Sequence, residues 1–406
     1  MLTLTPDQDN AVSHIRDWYQ NDGSTLTLGG YAGTGKTTLL GQLPEYVDAE
    51  SIIYVSYTGK AVSVLRGKLP PGSEVSTIHR LLYHPRKEML CTESGGPINV
   101  YTLQCEAHDP AYNDFDPEED HGSPCTGKQH LNWSPIDNPL RGYDLVVVDE
   151  ASMVSEKLWT DLTRWGVPVL AVGDHGQLPP IKSDFSLMAN PTIRLEKILR
   201  QAEGSPIIQM ATQARLEGRI RPGDYGDGCK KVPMHQRFRI PMKPADGDLV
   251  IVGYNRTRNE LNDYYRRKNG YAGLPQQGDT VICLRNNYEA GVFNGLRGTV
   301  VSYEPTADER YSAAFAEIRM MDDDYVFSGE VAGEQFGKPK TMQEIPRSLG
   351  LFDFGYAMTC HKAQGSQADR VMVVEERMPR ATDELHARWL YTAVTRAAKE
   401  VIVVGH

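Results

Sequence analysis

One stretch constrains this chain more than any other: residues 30–38, GYAGTGKTT, directly after the apolar run Leu26-Thr27-Leu28. It fits G-x-x-x-x-G-K-[ST], with Gly30, Gly35, Lys36 and Thr37 at the fixed positions. A strand feeding a glycine-rich turn and then a helix lets successive backbone N–H groups wrap a phosphate. The spacing therefore predicts a cradle for a nucleoside triphosphate, built from the amides of Gly33, Thr34, Gly35, Lys36, Thr37 and Thr38. Lys36 is placed to reach the β- and γ-phosphates, and the Thr37 hydroxyl to sit on Mg²⁺.

A second acidic signature supplies the rest of such a site. Leu145 to Val148 is an apolar run that reads as a strand buried on both faces, and Asp149 and Glu150 follow at its carboxyl end. Asp149 is placed to join Thr37 in the Mg²⁺ shell, and Glu150 to orient and deprotonate an attacking water. Residues 168–173 repeat the strand pattern and lead into Asp174-His175-Gly176-Gln177-Leu178-Pro179-Pro180, where the Gln177 amide can sense a γ-phosphate. At the amino end, Thr5 can cap a helix over residues 8–19 with Pro6 in its first turn, and the Gln8 amide can read an adenine edge.

Two further turns lie where strands meet helices. A strand over 51–56 leads to Thr58 and Lys60 at the start of a helix over 61–69, and residues 76–79 form a second polar turn holding Thr77 and His79. In an open parallel sheet that edge is where ligands bind, and hydroxyl and imidazole groups there suit a sugar-phosphate backbone. The second half alternates similarly without another P-loop: helix 205–218, strand 249–252, charged helix 258–268, strand 370–374, helix 384–398 and strand 401–404. Arg200 and Arg396 lie in this half, where each can serve as an arginine finger from a facing domain.

Two segments interrupt the pattern. Residues 83–141 are poorly periodic and read as an insertion, with residues 98–103 alternating like one arm of a hairpin. Cys91, Cys105, Cys125, His108, His121 and His130 fall there, but their spacings match no zinc-ligand pattern, so reduced thiols are expected. Residues 271–349 switch to short β runs at 280–285, 298–303 and 317–321, with Asn294-Gly295 as a hairpin turn, and read as a small β-barrel.

At 406 residues the chain exceeds what one core usually organises. The net charge of −10 argues against a uniformly basic nucleic-acid binder. However, residues 106–121 hold seven carboxylates and no Lys or Arg, and Asp322, Asp323 and Asp324 add three, so these two acidic stretches carry the whole excess. The balanced remainder permits local basic grooves. No run is long and apolar enough to span a bilayer and no leader peptide opens the chain, so a cytoplasmic location is expected.

With these stretches assembled, the chain resembles the superfamily-one DNA helicases, in particular the RecD and phage Dda group that moves five-prime to three-prime. LTPDQ, GYAGTGKTT, YTGKA, STIH, VVVDEAS, VGDHGQLPP, TCHKAQGSQ and YTAVTRA occur in that family's order across nearly the whole chain. The resemblance implies an α/β fold of two RecA-like P-loop domains with parallel sheets. The first would be residues 1–82 and 142–185, with a pin-bearing insertion at 83–141. The second would be residues 186–270 and 350–406, with the small β-barrel inserted at 271–349. It also implies ATP and Mg²⁺ in the cleft, adenine contact by Gln8, γ-phosphate sensing by Gln177, fingers at Arg200 and Arg396, and Gly365 linking the ATP cleft to the DNA path. Thr58, Lys60, Thr77, His79, His361 and Lys362 would contact single-stranded DNA. The implied protein is a monomeric, bacterial or phage helicase acting on single-strand/duplex junctions, with replication or recombination proteins as partners. An ATP-driven remodeller of protein–DNA complexes, or a subunit of a recombination nuclease, are the alternatives.

Overall fold

The computed structural model describes residues 4–21, 23–91, 97–98, 105–108, 127–179, 185–199, 204–287, 292, 294–306, 310–321, 325–346, 348–377 and 381–406. In chain order the strands are β1 Thr25–Gly30, β2 Ile52–Ser56, β3 Glu74–Thr77, β4 Tyr83–Cys91, β5 Pro97–Ile98, β6 Gly127–Pro135, β7 Leu145–Asp149, β8 Val169–Gly173 and β9 Ile193–Leu195. The second half adds β10 Gly223–Gly226, β11 Cys229–Pro233, β12 Leu249–Val252, β13 Thr280–Cys283, β14 Arg297–Pro305, β15 Ala313–Met320, β16 Val326–Ala332, β17 Phe352–Phe354, β18 Met358–Thr359, β19 Ala368–Val374 and β20 Ala397–Gly405.

The fold is α/β, built on two sheets that are parallel throughout or nearly so. The first has the order β3-β2-β7-β8-β1-β9 and is wholly parallel. Its strands are apolar on both sides because both sides are covered: Leu145 and Val147 pack with the helix Pro6–Gln20, while Val146 and Val148 pack with the helix Glu156–Thr163. The second sheet, β10-β11-β20-β19-β12-β18, is parallel except for the edge hairpin of β10 and β11. It repeats the two-sided burial, with Val371 and Val373 on one face and Met372 and Val374 on the other.

Two antiparallel sheets complete the chain. β4 and β6 form a nine-residue ribbon, Tyr83 opposite Pro135 through Cys91 opposite Gly127, with the short β5 beside β4. β16-β15-β14-β13-β17 is a five-stranded antiparallel sheet with its own core of Val281, Val300, Ile318, Phe327 and Phe352. Its outer parts approach each other at the Val331–Gly350 bridge.

Several sequence expectations shift. Within 83–141, read as a poorly periodic insertion with 98–103 as one arm of a hairpin, β4 and β6 pair instead; of the expected arm only Ile98 lies among the described residues. The first parallel sheet continues past residue 185 to β9, whose register on β1 carries the chain back to the P-loop. Phe352–Phe354 pairs with β13, so the return to the parallel sheet starts at β18 rather than at residue 350. The helix expected to run to residue 398 ends at Val394, where Thr395 and Arg396 turn into β20.

The helix Asn255–Lys268 joins the second parallel sheet to the antiparallel one. Arg258, Asn262 and Arg266 recur every fourth residue, so they share one face, and all three are buried. Arg258 pairs with Asp353 at 3.0 Å and Arg266 with Asp279 through two contacts of 3.0 and 2.9 Å. Asn262 donates to the Phe354 carbonyl and accepts from the Ala357 amide.

Candidate nucleotide site

All strands of the first sheet point the same way, so their carboxyl ends share one edge. That edge carries the P-loop after β1, Thr58 after β2, Asp149 and Glu150 at the end of β7, and Asp174 after β8. Against it lie the amino ends of β19 and β20, which bring Gly365 and Arg396. Between them opens a cleft of about 910 Å³, lined by Lys36, Thr37, Thr38, Asp149, Glu150, Gln177, Gly365 and Arg396 among others.

The P-loop turns through Gly33 and Gly35, at φ 82° and 81°, a left-handed conformation that glycine adopts without a Cβ penalty. Lys36 begins the following helix, Lys36–Gly41, and its Nζ donates to the Gly30 and Tyr31 carbonyls. Leu199 closes the loop from outside by donating its amide to Gly33 O at 3.0 Å. A Cβ on Gly35 would lie 2.5 Å from Gln8 Nε2, so the turn can approach Gln8 only as glycine.

Gln8 itself is 5% exposed and its amide has two protein partners. Its Oε1 accepts from the Thr5 amide at 3.0 Å while Thr5 Oγ1 accepts from the Gln8 amide, a capping box at the start of the helix Pro6–Gln20. Its Nε2 donates to Thr34 O at 3.1 Å, bracing the P-loop from beneath. Gln8 and Thr34 thus stand directly against the wall of the cleft that Gly33, Gly35, Lys36, Thr37 and Thr38 line.

Burial pushes the Asp149 carboxyl up to about 6, and the Glu150 carboxylate adds to the rise; the Lys36 and Lys68 ammonium groups pull the other way. Glu150 adopts the left-handed conformation at φ 53°, which costs a non-glycine residue about 1–2 kcal/mol. Its Oε2 is buried with no hydrogen-bond partner among the described residues, as is Gln177 Oε1. A strained acidic residue with an orphaned oxygen, facing a cleft beside a half-buried carboxyl, is a site arranged for a ligand rather than for stability.

The loop after β8 is held largely from the other sheet's side. Asp174 Oδ1 accepts from the Gly176 amide, and Oδ2 from Gln177 Nε2 and from the Tyr391 hydroxyl. The Leu178 amide donates to Thr392 Oγ1, and Gln364 Nε2 donates to the Leu178 carbonyl. Arg396 is 4% exposed and is held by the Thr392 and Ser366 carbonyls and the Thr395 hydroxyl. Arg200, the other finger candidate, lies outside the described residues.

A family model described as the AAA domain matches residues 3–238, more than half of the chain. The chain belongs to this family. A second model, the UvrD-like helicase C-terminal domain, matches residues 354–404. The ATP-dependent RecD2 DNA helicase of Deinococcus radiodurans is 29% identical over 297 residues, which are 65% of this chain and 36% of that protein. The RecBCD enzyme subunit RecD of Mycobacterium tuberculosis is 26% identical over 321 residues, 65% of this chain and 49% of that subunit. The chain thus spans between a third and a half of the length of these relatives. Among solved structures, the Bacteroides Pif1 helicase in complex with ADP-AlF3 and single-stranded DNA shares the fold, with a TM-score of 0.56 at 18% identity over 99% of this chain and 92% of that one.

The residues that the RecD-like resemblance assigns to DNA lie outside the cleft, on neighbouring turns. Thr58 and Thr77 cap the helices Gly59–Arg66 and Ile78–Leu82, their hydroxyls accepting from the Ala61 and Arg80 amides. Lys60 sits in the first turn of the former helix. His79 lies between the rings of Tyr57 and Tyr83, and burial lowers its pKa. His361 and Lys362 are in the short helix Cys360–Ala363; burial lowers the pKa of both, and that of Lys362 to about 8. Gly365, at φ 73°, lies so close to Thr58 that a Cβ there would come within 3.0 Å of Thr58 Oγ1. That contact joins the two parallel sheets at the end of the cleft.

Sequence reasoning passed over Leu199, Asp174 and Tyr391. The last lies inside YTAVTR, a stretch singled out only for its arginine. No group of three or more His, Cys, Asp or Glu among the described residues forms a metal cluster; Cys105 and His108 stand 3.0 Å apart, Sγ to Nδ1.

Proposed function

We propose that this chain is an ATP-dependent DNA helicase that translocates along single-stranded DNA, five-prime to three-prime, and separates the strands of a duplex ahead of it. The observation that carries the reading is the single cleft onto which the P-loop, Asp149-Glu150, Gln177 and, from the second sheet, Gly365 and Arg396 all open. A site divided between two sheets can change its volume when its ligand changes, which a hydrolase alone does not require. The RecD2 relative, a DNA helicase by name, and the fold of a Pif1 bound to a nucleotide analogue and single-stranded DNA support it.

In this reading Lys36 binds the β- and γ-phosphates, and the amides of residues 33–38 wrap them. Thr37 and Asp149 hold Mg²⁺, and the donor set fits one: a hydroxyl, and a half-buried carboxyl beside a second carboxylate one of whose oxygens has no partner among the described residues. When bound, the ion neutralises charge between the phosphates. Glu150 orients the attacking water and takes its proton, Gln177 reads the γ-phosphate, and Arg396 and Arg200 neutralise charge that develops during transfer. Adenine contact by Gln8 uses the one amide hydrogen that Thr34 does not take.

Closure of the cleft moves the second sheet toward the first, and the turns bearing Thr58, Lys60, Thr77, His79, His361 and Lys362 grip DNA alternately. The two parallel sheets are taken as the cores of two RecA-like domains. The β4–β6 ribbon serves as the strand-separating pin, and the five-stranded sheet as the small barrel. A monomer acting on fork junctions in the cytoplasm is the form this implies.

The test is unwinding of matched partial duplexes carrying only a five-prime or only a three-prime tail, with ATP and Mg²⁺. Opening of the five-prime-tailed duplex alone is expected. Opening of the three-prime-tailed duplex alone would reverse the polarity. Failure to open either, with DNA-stimulated hydrolysis intact, would move the chain to a remodeller or to a subunit of a larger enzyme, as the RecD to which it is similar is by name.

A further inference from the structure

The Tyr391 hydroxyl stands where three parts of the molecule meet. It accepts from the Ala32 amide of the P-loop at 2.7 Å and donates to Asp174 Oδ2 at 2.7 Å, although Tyr391 lies on the helix Asp383–Val394 beside the other sheet. The residue is 2% exposed, and burial, reinforced by Asp174, raises its pKa well above the usual phenol value, so the hydroxyl keeps the proton it donates.

The surroundings reinforce the junction. The Tyr31 ring, next to Ala32, lies 4.1 Å from the His175 ring and 3.9 Å beneath the Arg215 guanidinium, which comes from the helix Pro206–Glu217. One residue beyond Tyr391, Thr392 binds the Leu178 amide through its hydroxyl and Arg396 Nε through its carbonyl. Arg396 and Tyr391 are thus joined to one rigid helix end, one facing the nucleotide cleft and the other reaching the back of the P-loop.

We propose that Tyr391 is a positioning residue that couples the arginine finger to the P-loop: its hydroxyl ties the Ala32 amide and Asp174 to the helix that carries Arg396 into the cleft. A displacement of Arg396 toward the nucleotide then shifts the P-loop backbone and the Asp174–Leu178 loop, and with it Gln177, in the same step. Without the hydroxyl, the Ala32 amide loses its acceptor and Asp174 Oδ2 keeps only the longer contact to Gln177, so the finger can move without the phosphate sensor. The inference rests on the helicase reading for its purpose but on these contacts for its content.

The test is Tyr391→Phe, which keeps the ring and removes the hydroxyl. With saturating single-stranded DNA, kcat for ATP is expected to fall at least tenfold while KM stays within twofold, because the lost contact aligns rather than binds. Amide hydrogen exchange at Ala32 is expected to speed up in the variant. Parental kcat, or a raised KM with kcat kept, would overturn the coupling role. Should the variant not fold, exchange at Ala32 in the parent with and without a non-hydrolysable ATP analogue decides: a change in protection on binding supports the coupling, and unchanged protection overturns it. Neither readout needs strand separation. A parent that hydrolyses ATP but opens no fork therefore sinks the helicase reading alone.

Discussion

Lys36 Nζ lies 2.6 Å from the Gly30 carbonyl oxygen and 3.0 Å from that of Tyr31. The P-loop thus holds its own lysine by charge-assisted hydrogen bonds, and the ammonium needs little rearrangement to meet a phosphate. Lys36→Ala is expected to lower ATP turnover by about 10²–10³-fold, the usual cost of removing one preorganised donor. DNA binding should stay detectable, since Thr58 and Thr77 project from other strand ends. Steady-state hydrolysis together with binding of a labelled single strand checks both halves, and full turnover in the variant would remove Lys36 from the site.

Arg396 is buried, yet its three protein partners are two carbonyls and a hydroxyl, none of them a carboxylate. A buried guanidinium that faces a cleft with no counter-ion among the described residues suits an anionic ligand that comes and goes. Arg396→Ala is expected to reduce kcat by about 10³-fold or more, in the range of other arginine fingers, with nucleotide affinity changed only a few-fold. Single-turnover hydrolysis and equilibrium nucleotide binding separate the two. An unchanged rate would end the finger assignment.

What could be read from the sequence was what local chemistry dictates. The P-loop, the apolar run before Asp149 and the turns at Thr58 and Thr77 are each complete within a few residues, and the structure brings the P-loop and Asp149-Glu150 together on one edge. Gln8 is a mixed case: Thr5-x-x-Gln8 is itself a capping-box signature, but the amide was read for purine recognition and its contact to Thr34 spans 26 residues. Tyr391 carried no local signal, because its partner Ala32 is 359 residues away. The β4–β6 ribbon was missed because its strands lack clear alternation and pair across a long intervening stretch. Arg258, Asn262 and Arg266 read only as part of a charged helix; the partners that bury the two arginines, Asp353 and Asp279, come from the segment beyond residue 270.

That buried stripe gives a stability test. Arg266 and Asp279 are 7% and 0% exposed at the side chain, and the Tyr356 hydroxyl also donates to Asp279. Asp279→Ala leaves the guanidinium buried against the Phe354 ring with the Gly273 and Leu274 carbonyls but no carboxylate, at an expected cost of about 3–5 kcal/mol. Replacing both partners, Arg266→Met with Asp279→Leu, should recover most of that loss, since the desolvated charge goes too. Chemical denaturation of the two variants against the parent provides the comparison. A loss under about 1 kcal/mol for Asp279→Ala, the scale of an exposed pair, would show that the pair does not hold the two sheets together.

Lys362 makes the DNA assignment sensitive to pH. Burial lowers its pKa to about 8 and the nearby Arg258 adds to this, while Asp353 and Cys283 act in the opposite direction. Between about 8 and its ordinary value of 10.5 the folded chain binds fewer protons than the unfolded one, so this residue's contribution to stability improves as pH rises through that window. Its contribution to phosphate binding runs the other way, because the free protein must take up a proton before the ammonium can meet a phosphate. Affinity for single-stranded DNA is therefore expected to fall by about tenfold between pH 7 and 9 at fixed salt, by linkage through one group. If the contact to phosphate is lost at high pH, the slope of log affinity against log salt becomes shallower by about 0.7. Lys362→Arg, which stays charged throughout, should flatten the pH dependence. A parent whose DNA affinity is level from pH 7 to 9 would take Lys362 out of the DNA contacts and leave it as a buried neighbour of Arg258 and Asp353.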